Sequence, residues 1–329
     1  MRFRLPLSRQ SLYWCVILVL ALILPALSFP SFVLRLVTLI FIYSSLISGF
    51  NLLVGYCGLV SVAQAGFFGI GAYTAALMSI HLRTSFVVSL IAGTVVTGVV
   101  SALIGFGVLR LKGRYLIMAT LGINEVINLV IVNATFTGGP NGLPGISAPS
   151  LFGIVFSSVS SLYYLNLAGL VLVTAVVALL VNSAVGRSMV AVREDDLAAE
   201  AIGINVASTK LLAFTLTGAM AGLAGVFYAY NNLFVSYQSF TTGESFIMLA
   251  MLVIGGMGTL SGPFLGVALL MALPEVLRGA SLYRYLFYGL ALAVVAPLWP
   301  GGLASIRLPQ KGAVTLRKRT VYRKGGKSA

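Results

Sequence analysis

Few side chains in this 329-residue sequence could carry out chemistry: seven Asp and Glu, one His and two Cys. His81 stands alone, so a Ser–His–Asp arrangement or a His-based metal site would lack its other members. Cys15 and Cys57 lie far apart in apolar surroundings, which indicates two small buried side chains. The only Gly-Lys pair, at 326–327, has Val321 where a phosphate-binding loop requires glycine. The sequence therefore predicts no enzyme, no resident cofactor and no metal site.

Four of the seven acids fall in one polar segment, residues 186–204. They are Glu194, Asp195, Asp196 and Glu200. Carboxylates at the start of a helix accept hydrogen bonds from its free N–H groups, so Asp195 or Asp196 can begin a short helix that ends at Gly203. Asp196 and Glu200 would then share one side of that helix. The alternative is a solvated loop.

A second set of polar side chains lies inside apolar sequence. Thr120, Asn124 and Asn128 recur at a spacing of four, and Glu125 lies beside them. Gln64 is a similar case, in a segment that is otherwise small or apolar. An acid within an apolar helix costs free energy unless it faces a partner or water. These residues therefore either line a polar pathway or hydrogen-bond neighbouring helices, and both interpretations stay open.

The composition identifies the elements that must position these residues. Hydrophobic residues make up 59% of the chain and charged residues 9%, against about 25% charged in a soluble domain. We predict an all-α integral membrane protein, a polytopic helical bundle of about 8–10 transmembrane helices with Gly-rich broken segments. Its ten apolar segments are Ser11–Phe29, Val33–Val54, Ala63–His81, Phe86–Leu109, Tyr115–Asn133, Leu162–Asn182, Lys210–Tyr230, Glu244–Gly256, Gly262–Leu277 and Leu282–Leu298.

The basic residues predict an orientation. With the N-terminus in the cytoplasm and ten crossings, seventeen of the 21 Lys and Arg fall inside and four outside. This placement explains the net charge of +14 without nucleic acid. We predict a cytoplasmic N-terminus (1–10), a transmembrane domain (11–306) with a cytoplasmic loop at 186–209, and a basic cytoplasmic tail (307–329) that either binds lipid headgroups or simply lies in the cytoplasm. The first apolar segment is either a retained span, which we favour, or a removed signal peptide.

Glycines at a spacing of four predict close helix packing. They are Gly218 and Gly222 in one segment, and Gly258, Gly262 and Gly266 near the C-terminus. The third and eighth segments are Gly-rich and could be short, broken or re-entrant. In the third, Gly66, Gly69 and Gly71 permit an unwound stretch, which is tolerated where it is buried or lines a cavity.

Four stretches in order resemble the branched-chain amino acid permeases of the LivM type. They are Asn51–Tyr73, Phe136–Ile146, Arg193–Asn205 followed by Lys210–Phe214, and Val253–Gly266. The third is similar to the coupling region with which such permeases dock on an ATPase. The resemblance therefore implies an ATPase-coupling loop that contains Arg193, Glu194, Asp195, Asp196, Glu200, Ala201 and Gly203.

The resemblance also implies the partners. We expect two ABC ATPase subunits that hold ATP and Mg, a second homologous permease of the LivH type, and a periplasmic substrate-binding protein. The chain would then translocate branched-chain or related amino acids across the bacterial inner membrane. The alternatives are a permease for urea, amides or another small polar solute in the same importer class, and a secondary transporter without an ATPase. The latter would need intramembrane acids, and Glu125 is the one candidate at depth.

Overall fold

The computed structural model describes residues 21–22, 24–27, 30–151, 153–276, 289 and 301–305. Within them the chain is a bundle of helices. The α-helices are α1 (Ser31–Asn51), α2 (Gln64–His81), α3 (Phe86–Val108), α4 (Arg114–Asn133), α5 (Val159–Asn182), α6 (Ala184–Glu194), α7 (Asp196–Ala201), α8 (Val206–Asn232), α9 (Thr242–Gly255) and α10 (Gly262–Val276). Most of the first predicted segment, the tenth and the basic tail lie outside the described residues.

Five of these helices are long and apolar enough to cross a membrane: α1 with the π-helical turn that extends it to Tyr56, and α3, α4, α5 and α8. The helices α9 and α10 are apolar but shorter. This confirms a polytopic helical membrane protein. The segment boundaries predicted from hydropathy agree with these helices to within a few residues, because the apolar runs end at polar or glycine-rich turns.

The predicted unwound stretch in the third segment is wrong. The helix α2 is continuous through its glycines, and the irregular backbone lies before it. The chain leaves α1 through the π-helical turn Leu52–Tyr56 and is not helical again until Gln64. The glycines of α2 admit neighbours instead: a methyl group placed at Gly71 would lie 2.4 Å from the Cα atom of Gly222 in α8.

The helix α8 lies at the centre of the bundle, packed against α1, α2 and α3. Its buried side is rich in alanine and glycine, so that helix backbones approach closely. The helices α3 and α5 each turn a row of large apolar side chains outward, including Leu103 and Leu179. Such exposed apolar faces suit contact with lipid tails.

Short strands join the loops at the opposite end from α6 and α7. The strand β1 (Leu143–Pro144) pairs antiparallel with β4 (Phe234–Val235), and β2 (Ser150–Leu151) pairs with β3 (Ile154–Val155). The β1–β4 pair ties the Gly-rich loop after α4 to the loop after α8. From there the chain descends to α9 through a 3₁₀ turn, Tyr237–Phe240.

Candidate functional site: a helix pair at one face and a polar helix interface

The polar segment 186–204 folds as two helices rather than one. Ser183 begins α6, with its hydroxyl accepting from the Val185 N–H at 3.2 Å. Asp195 then interrupts the chain in an extended conformation and begins α7. Its Oδ1 atom accepts from the N–H groups of Leu197 at 2.8 Å and Ala198 at 3.1 Å. Of the two acids that could cap the helix, Asp195 is therefore the cap, and the sequence did not predict α6.

One side of the short helix α7 packs against the protein, and the rest of the helix is exposed. Ala199 is buried, and the Asp196 carboxylate pairs with the Lys210 ammonium group in α8 at 2.6 Å. Gly203 ends the helix at φ +84° and donates to the Glu200 carbonyl at 2.9 Å. Asp196 thus turns toward the protein, whereas Glu200 is exposed and has no ion pair within the described part of the chain.

Two large apolar side chains of α7 and its end are strongly exposed. Leu197 is 77% exposed and Ile202 is 75% exposed. Leu179 on α5 is similarly exposed, at 73%, but it belongs to a long apolar helix that lipid can cover. The helix α7, at six residues, is too short to cross a membrane and lies outside every candidate span of the described residues, so its apolar exposure is not that of a membrane-spanning helix.

Arg193, near the end of α6, reaches into the membrane-spanning part. Its Nη1 atom donates to the Gly55 carbonyl in the π-helical turn at 2.6 Å. The neighbouring Glu194 carboxylate is 3.9 Å from the Arg193 Nε atom, and both side chains are substantially exposed. The predicted coupling residues are therefore not equivalent: Arg193 and Asp196 bind inward, and Glu194 and Glu200 face outward. Ala201 lies in the last turn of α7.

An open cavity of about 310 Å³ lies between this helix pair and the ends of α1 and α4. Its lining includes Cys57, Lys112, Arg193, Asp196 and Lys210. Burial raises the pKa of the Cys57 thiol to about 11, with smaller opposing contributions from Lys210, which lowers it, and Asp196, which raises it. The thiol is therefore protonated at neutral pH and a poor nucleophile.

The polar residues predicted inside apolar sequence meet where α2 begins. The first N–H groups of a helix have no partner within it, and here two other helices supply the acceptors. Asn124 Oδ1 in α4 accepts from the Gly66 N–H at 2.6 Å, and Ser245 Oγ in α9 accepts from the Ala65 N–H at 2.9 Å. Thr120 Oγ1 accepts from the Val62 N–H at 3.1 Å.

Asn124 also joins α4 to α9, because its Nδ2 atom donates to Thr242 Oγ1 at 2.9 Å. The geometry of Asn124 is that of interhelical hydrogen bonding. Gln64 and Asn128 differ: Gln64 Nε2 and Asn128 Oδ1 are buried and have no hydrogen-bond partner among the described residues. Ser245 and Thr242 were missed by the sequence analysis, since a hydroxyl at the start of an apolar helix is read as an ordinary cap.

Glu125 is the one candidate of this set with an exposed side chain. It lies near the middle of α4, accepts a hydrogen bond from the Thr242 hydroxyl, and otherwise faces away from the bundle. Gly122, one turn earlier, is also exposed, and a methyl group placed there would touch nothing within 4 Å. A carboxylate at this depth on an otherwise apolar face is costly in contact with lipid.

The predicted packing glycines occupy two places. Gly218 and Gly222 lie where α8 crosses α3: a methyl group at Gly222 would lie 2.6 Å from the Gly93 carbonyl oxygen. Gly262 and Gly266 lie where α9 and α10 meet. Gly258 is not in a helix, contrary to the spacing argument. It adopts φ +72° in the turn between α9 and α10, a conformation that favours glycine.

These features define a polytopic helical membrane protein. Its short helix pair α6–α7 lies outside the candidate spans and exposes both charged and apolar side chains. Comparison with known proteins gives the family. Residues 32–296 match the model of the family described as "Branched-chain amino acid transport system / permease component". The chain belongs to this family, and it is accordingly a permease component of a transport system rather than an enzyme.

Individual relatives agree with this assignment. The chain is 35% identical to the high-affinity branched-chain amino acid transport system permease protein LivM of Salmonella typhimurium strain LT2, over 94% of this chain and 79% of that protein. The LivM protein of Escherichia coli strain K12 gives the same values. The autoinducer 2 import system permease protein LsrC of Yersinia pseudotuberculosis is 31% identical over 51% of this chain and 48% of its own. No solved structure matches the chain.

Proposed function

We propose that this chain is one of two permease subunits of an ABC importer that carries branched-chain or related amino acids across the bacterial inner membrane. The LivM relatives support the substrate class, because they are named as permease proteins of branched-chain amino acid transport systems. ATP is hydrolysed on two separate ATPase subunits, and a periplasmic binding protein delivers the substrate to the loops joined by β1 and β4. The excess of Lys and Arg on the side of α6 and α7 supports cytoplasmic termini.

The observation that carries the ATPase proposal is the apolar exposure of α7. Leu197 and Ile202 are exposed on a helix that lies outside the candidate spans, and Glu200 lies between them in the sequence. Large exposed apolar side chains with a polar surround are typical of protein interfaces. Asp195 caps the helix and Asp196 holds it to Lys210 in α8, which leaves Leu197 and Ile202 free to dock. The ATPase is the partner that a transport component of this family requires.

The exposed face of α4 supports a second permease. Glu125 and Gly122 lie on this face, which also carries the exposed apolar residues Met118 and Leu129. A companion permease covering the face would remove the carboxylate from lipid and enclose a polar pathway beside it. Glu125 then lines the pathway, and Asn124 is a structural residue behind it. Gln64 and Asn128, with their unpartnered buried atoms, remain candidates for polar contacts along the same route.

Two leucine variants test the docking proposal. Leu197→Ala removes an exposed apolar side chain from α7, whereas Leu179→Ala removes a similarly exposed one from α5. Both variants are purified in detergent from native membranes, and the co-purifying chains are quantified by mass spectrometry. We expect Leu197→Ala, combined with Ile202→Ala, to reduce ATPase recovery about tenfold or more, as loss of a central apolar contact does. Leu179→Ala should leave it unchanged.

The docking proposal is wrong if the double variant recovers the ATPases as well as the wild-type chain does. Charge reversal at Glu200 gives an independent test on the same surface. It is preferable to reversal at Asp196, which would also break the ion pair with Lys210 inside the chain.

A further inference from the structure

Two interrupted helices meet beside the helix pair α6–α7. One interruption is the π-helical turn Leu52–Tyr56 that extends α1, and the other is the turn between α9 and α10. Asn51 joins them: its Oδ1 atom accepts from the Gly258 N–H at 2.8 Å, and its Nδ2 atom donates to the Thr259 carbonyl at 2.8 Å. The two interruptions are therefore one hydrogen-bonded unit, although about 200 residues separate them in the sequence.

Glycines allow the backbone segments of this unit to approach one another closely. A methyl group placed at Gly55 would lie 2.4 Å from the Gly258 backbone nitrogen. At Gly58, which has φ +75°, it would lie 2.9 Å from the Arg193 Cγ atom, and at Gly258 it would lie 3.1 Å from Arg193 Nη1. The Arg193 side chain thus occupies a slot between three glycines. π-helical turns within α-helices are often found at functional sites.

The guanidinium group of Arg193 also satisfies the end of a helix. The last carbonyl groups of a helix lack partners within it and carry partial negative charge. The bond of 2.6 Å from Arg193 Nη1 to the Gly55 carbonyl meets this need with a charged donor. Arg193 lies on α6, which leads directly into the exposed helix α7. A single side chain therefore connects the surface helix pair to both helix interruptions.

We propose that Arg193 is a positioning residue that transmits movement of α6 and α7 to the joined interruptions at Gly55 and Gly258. The inference rests on the proposed function, because it assumes that an ATPase moves the helix pair. When α6 shifts, the Arg193–Gly55 bond moves the end of α1, and Asn51 carries the displacement to the turn between α9 and α10. Without the guanidinium group, the ATPase docks and hydrolyses ATP, but the spans respond less.

The test compares Arg193→Ala with Arg193→Lys and with Arg187→Ala. Arg187 is the matched control, since it lies on the same helix and its side chain donates only to the nearby Asn182 carbonyl among the described residues. Each purified complex is placed in liposomes, and substrate uptake and ATP hydrolysis are both measured. For Arg193→Ala we expect unchanged assembly and about tenfold less substrate moved per ATP, within the usual range for loss of an allosteric contact. Lysine should restore part of the coupling, and Arg187→Ala should have no effect.

An unchanged transport-to-hydrolysis ratio in Arg193→Ala would overturn the inference. So would a loss of transport that only follows a loss of bound ATPase, since Arg193 would then serve docking alone. If the wild-type chain binds no ATPase at all, it is the proposed function that fails, and that result is recognised before any variant is made.

A second measurement covers the case in which Arg193→Ala does not fold. Cys57 lies in the cavity beside Arg193, so its alkylation rate reports on this region. Both chains carry Cys15→Ser, so that Cys57 is their remaining cysteine. Alkylation of the complex with Arg193 and of the complex with Arg193→Lys is followed with and without a non-hydrolysable ATP analogue. We expect the nucleotide to change the wild-type rate, and the change to be smaller in Arg193→Lys. Equal nucleotide effects in both would contradict the inference.

Discussion

Replacing Gly266 by alanine tests the helix packing most severely. In α10 a methyl group at this position would lie 1.8 Å from the Met251 carbonyl oxygen and 2.9 Å from the Gly255 backbone nitrogen, both in α9. Relief of the first contact to an ordinary separation near 3.4 Å requires a local displacement of about 1.6 Å. The atoms to be moved are backbone, so no side-chain rotation can relieve the clash. Overpacking of this kind costs about 1–3 kcal/mol.

The matched control is Gly107→Ala in α3, where a methyl group would meet nothing within 4 Å. There alanine should be neutral or stabilise by up to about 1 kcal/mol, because it is the better helix former. Thermal unfolding of both variants in the same detergent, followed by far-UV circular dichroism, measures the difference. We expect a midpoint about 1–6 °C lower for Gly266→Ala than for Gly107→Ala, because 1 kcal/mol shifts the midpoint of a chain of this length by about 1–2 °C. Equal midpoints would refute the close approach of α9 and α10.

Two further predictions concern the polar interface and the inner cavity. Asn124→Leu should lower the free energy of unfolding by about 1–3 kcal/mol, because it leaves the Gly66 N–H group buried without an acceptor. Asn128→Leu should lower it less, since the buried Asn128 Oδ1 atom has no described partner. Equal losses for the two variants in unfolding experiments would contradict this prediction. In a Cys15→Ser background, the rate of Cys57 alkylation should be low at pH 8 and should increase only as the pH approaches 11, since the pKa of this thiol is raised. A rate at pH 8 equal to that of the unfolded chain would contradict the burial of Cys57.

Hydropathy predicted most of the fold because each apolar run is a physical requirement of a lipid-spanning helix. The helices α3, α4 and α5 begin and end near the polar and glycine residues that bound their runs. The same reasoning failed at α2, where Gly66 to Gly71 suggested weak helix. Glycine lowers helix propensity, but here it also admits the backbone of α8, and packing outweighs propensity. Only a three-dimensional arrangement shows which effect prevails.

The ends of α7 were predicted because they depend on local interactions. A cap at Asp195 or Asp196 and a stop at Gly203 act within a few residues of themselves, so the sequence indicates them, and the structure shows that Asp195 is the cap. The bonds from Asn124 to Gly66 and from Arg193 to Gly55 join residues 58 and 138 positions apart. No periodicity in one sequence reveals such partners. A polar residue in an apolar helix, such as Asn51, indicates that its side chain has a hydrogen-bond partner. It does not show that the partner is the turn at Gly258.

The exposed side of α7 would not have been found from sequence either. Leu197 and Ile202 are apolar residues in a helix-forming run, and such residues are usually buried. The side of α7 that faces the protein carries Ala199, which is buried, and Asp196, which pairs with Lys210. Both contacts depend on the tertiary structure, so the sequence alone does not show that Leu197 and Ile202 are left exposed.

The central claim is that this chain is the permease component of an ATP-driven importer. The most direct test is purification of the chain from its native membrane with its bound partners, followed by uptake of leucine into liposomes with and without ATP inside. The account predicts recovery of two ATPases and a second permease, with uptake that requires ATP and the binding protein. Recovery of the chain alone, with leucine uptake that proceeds without ATP, would contradict it.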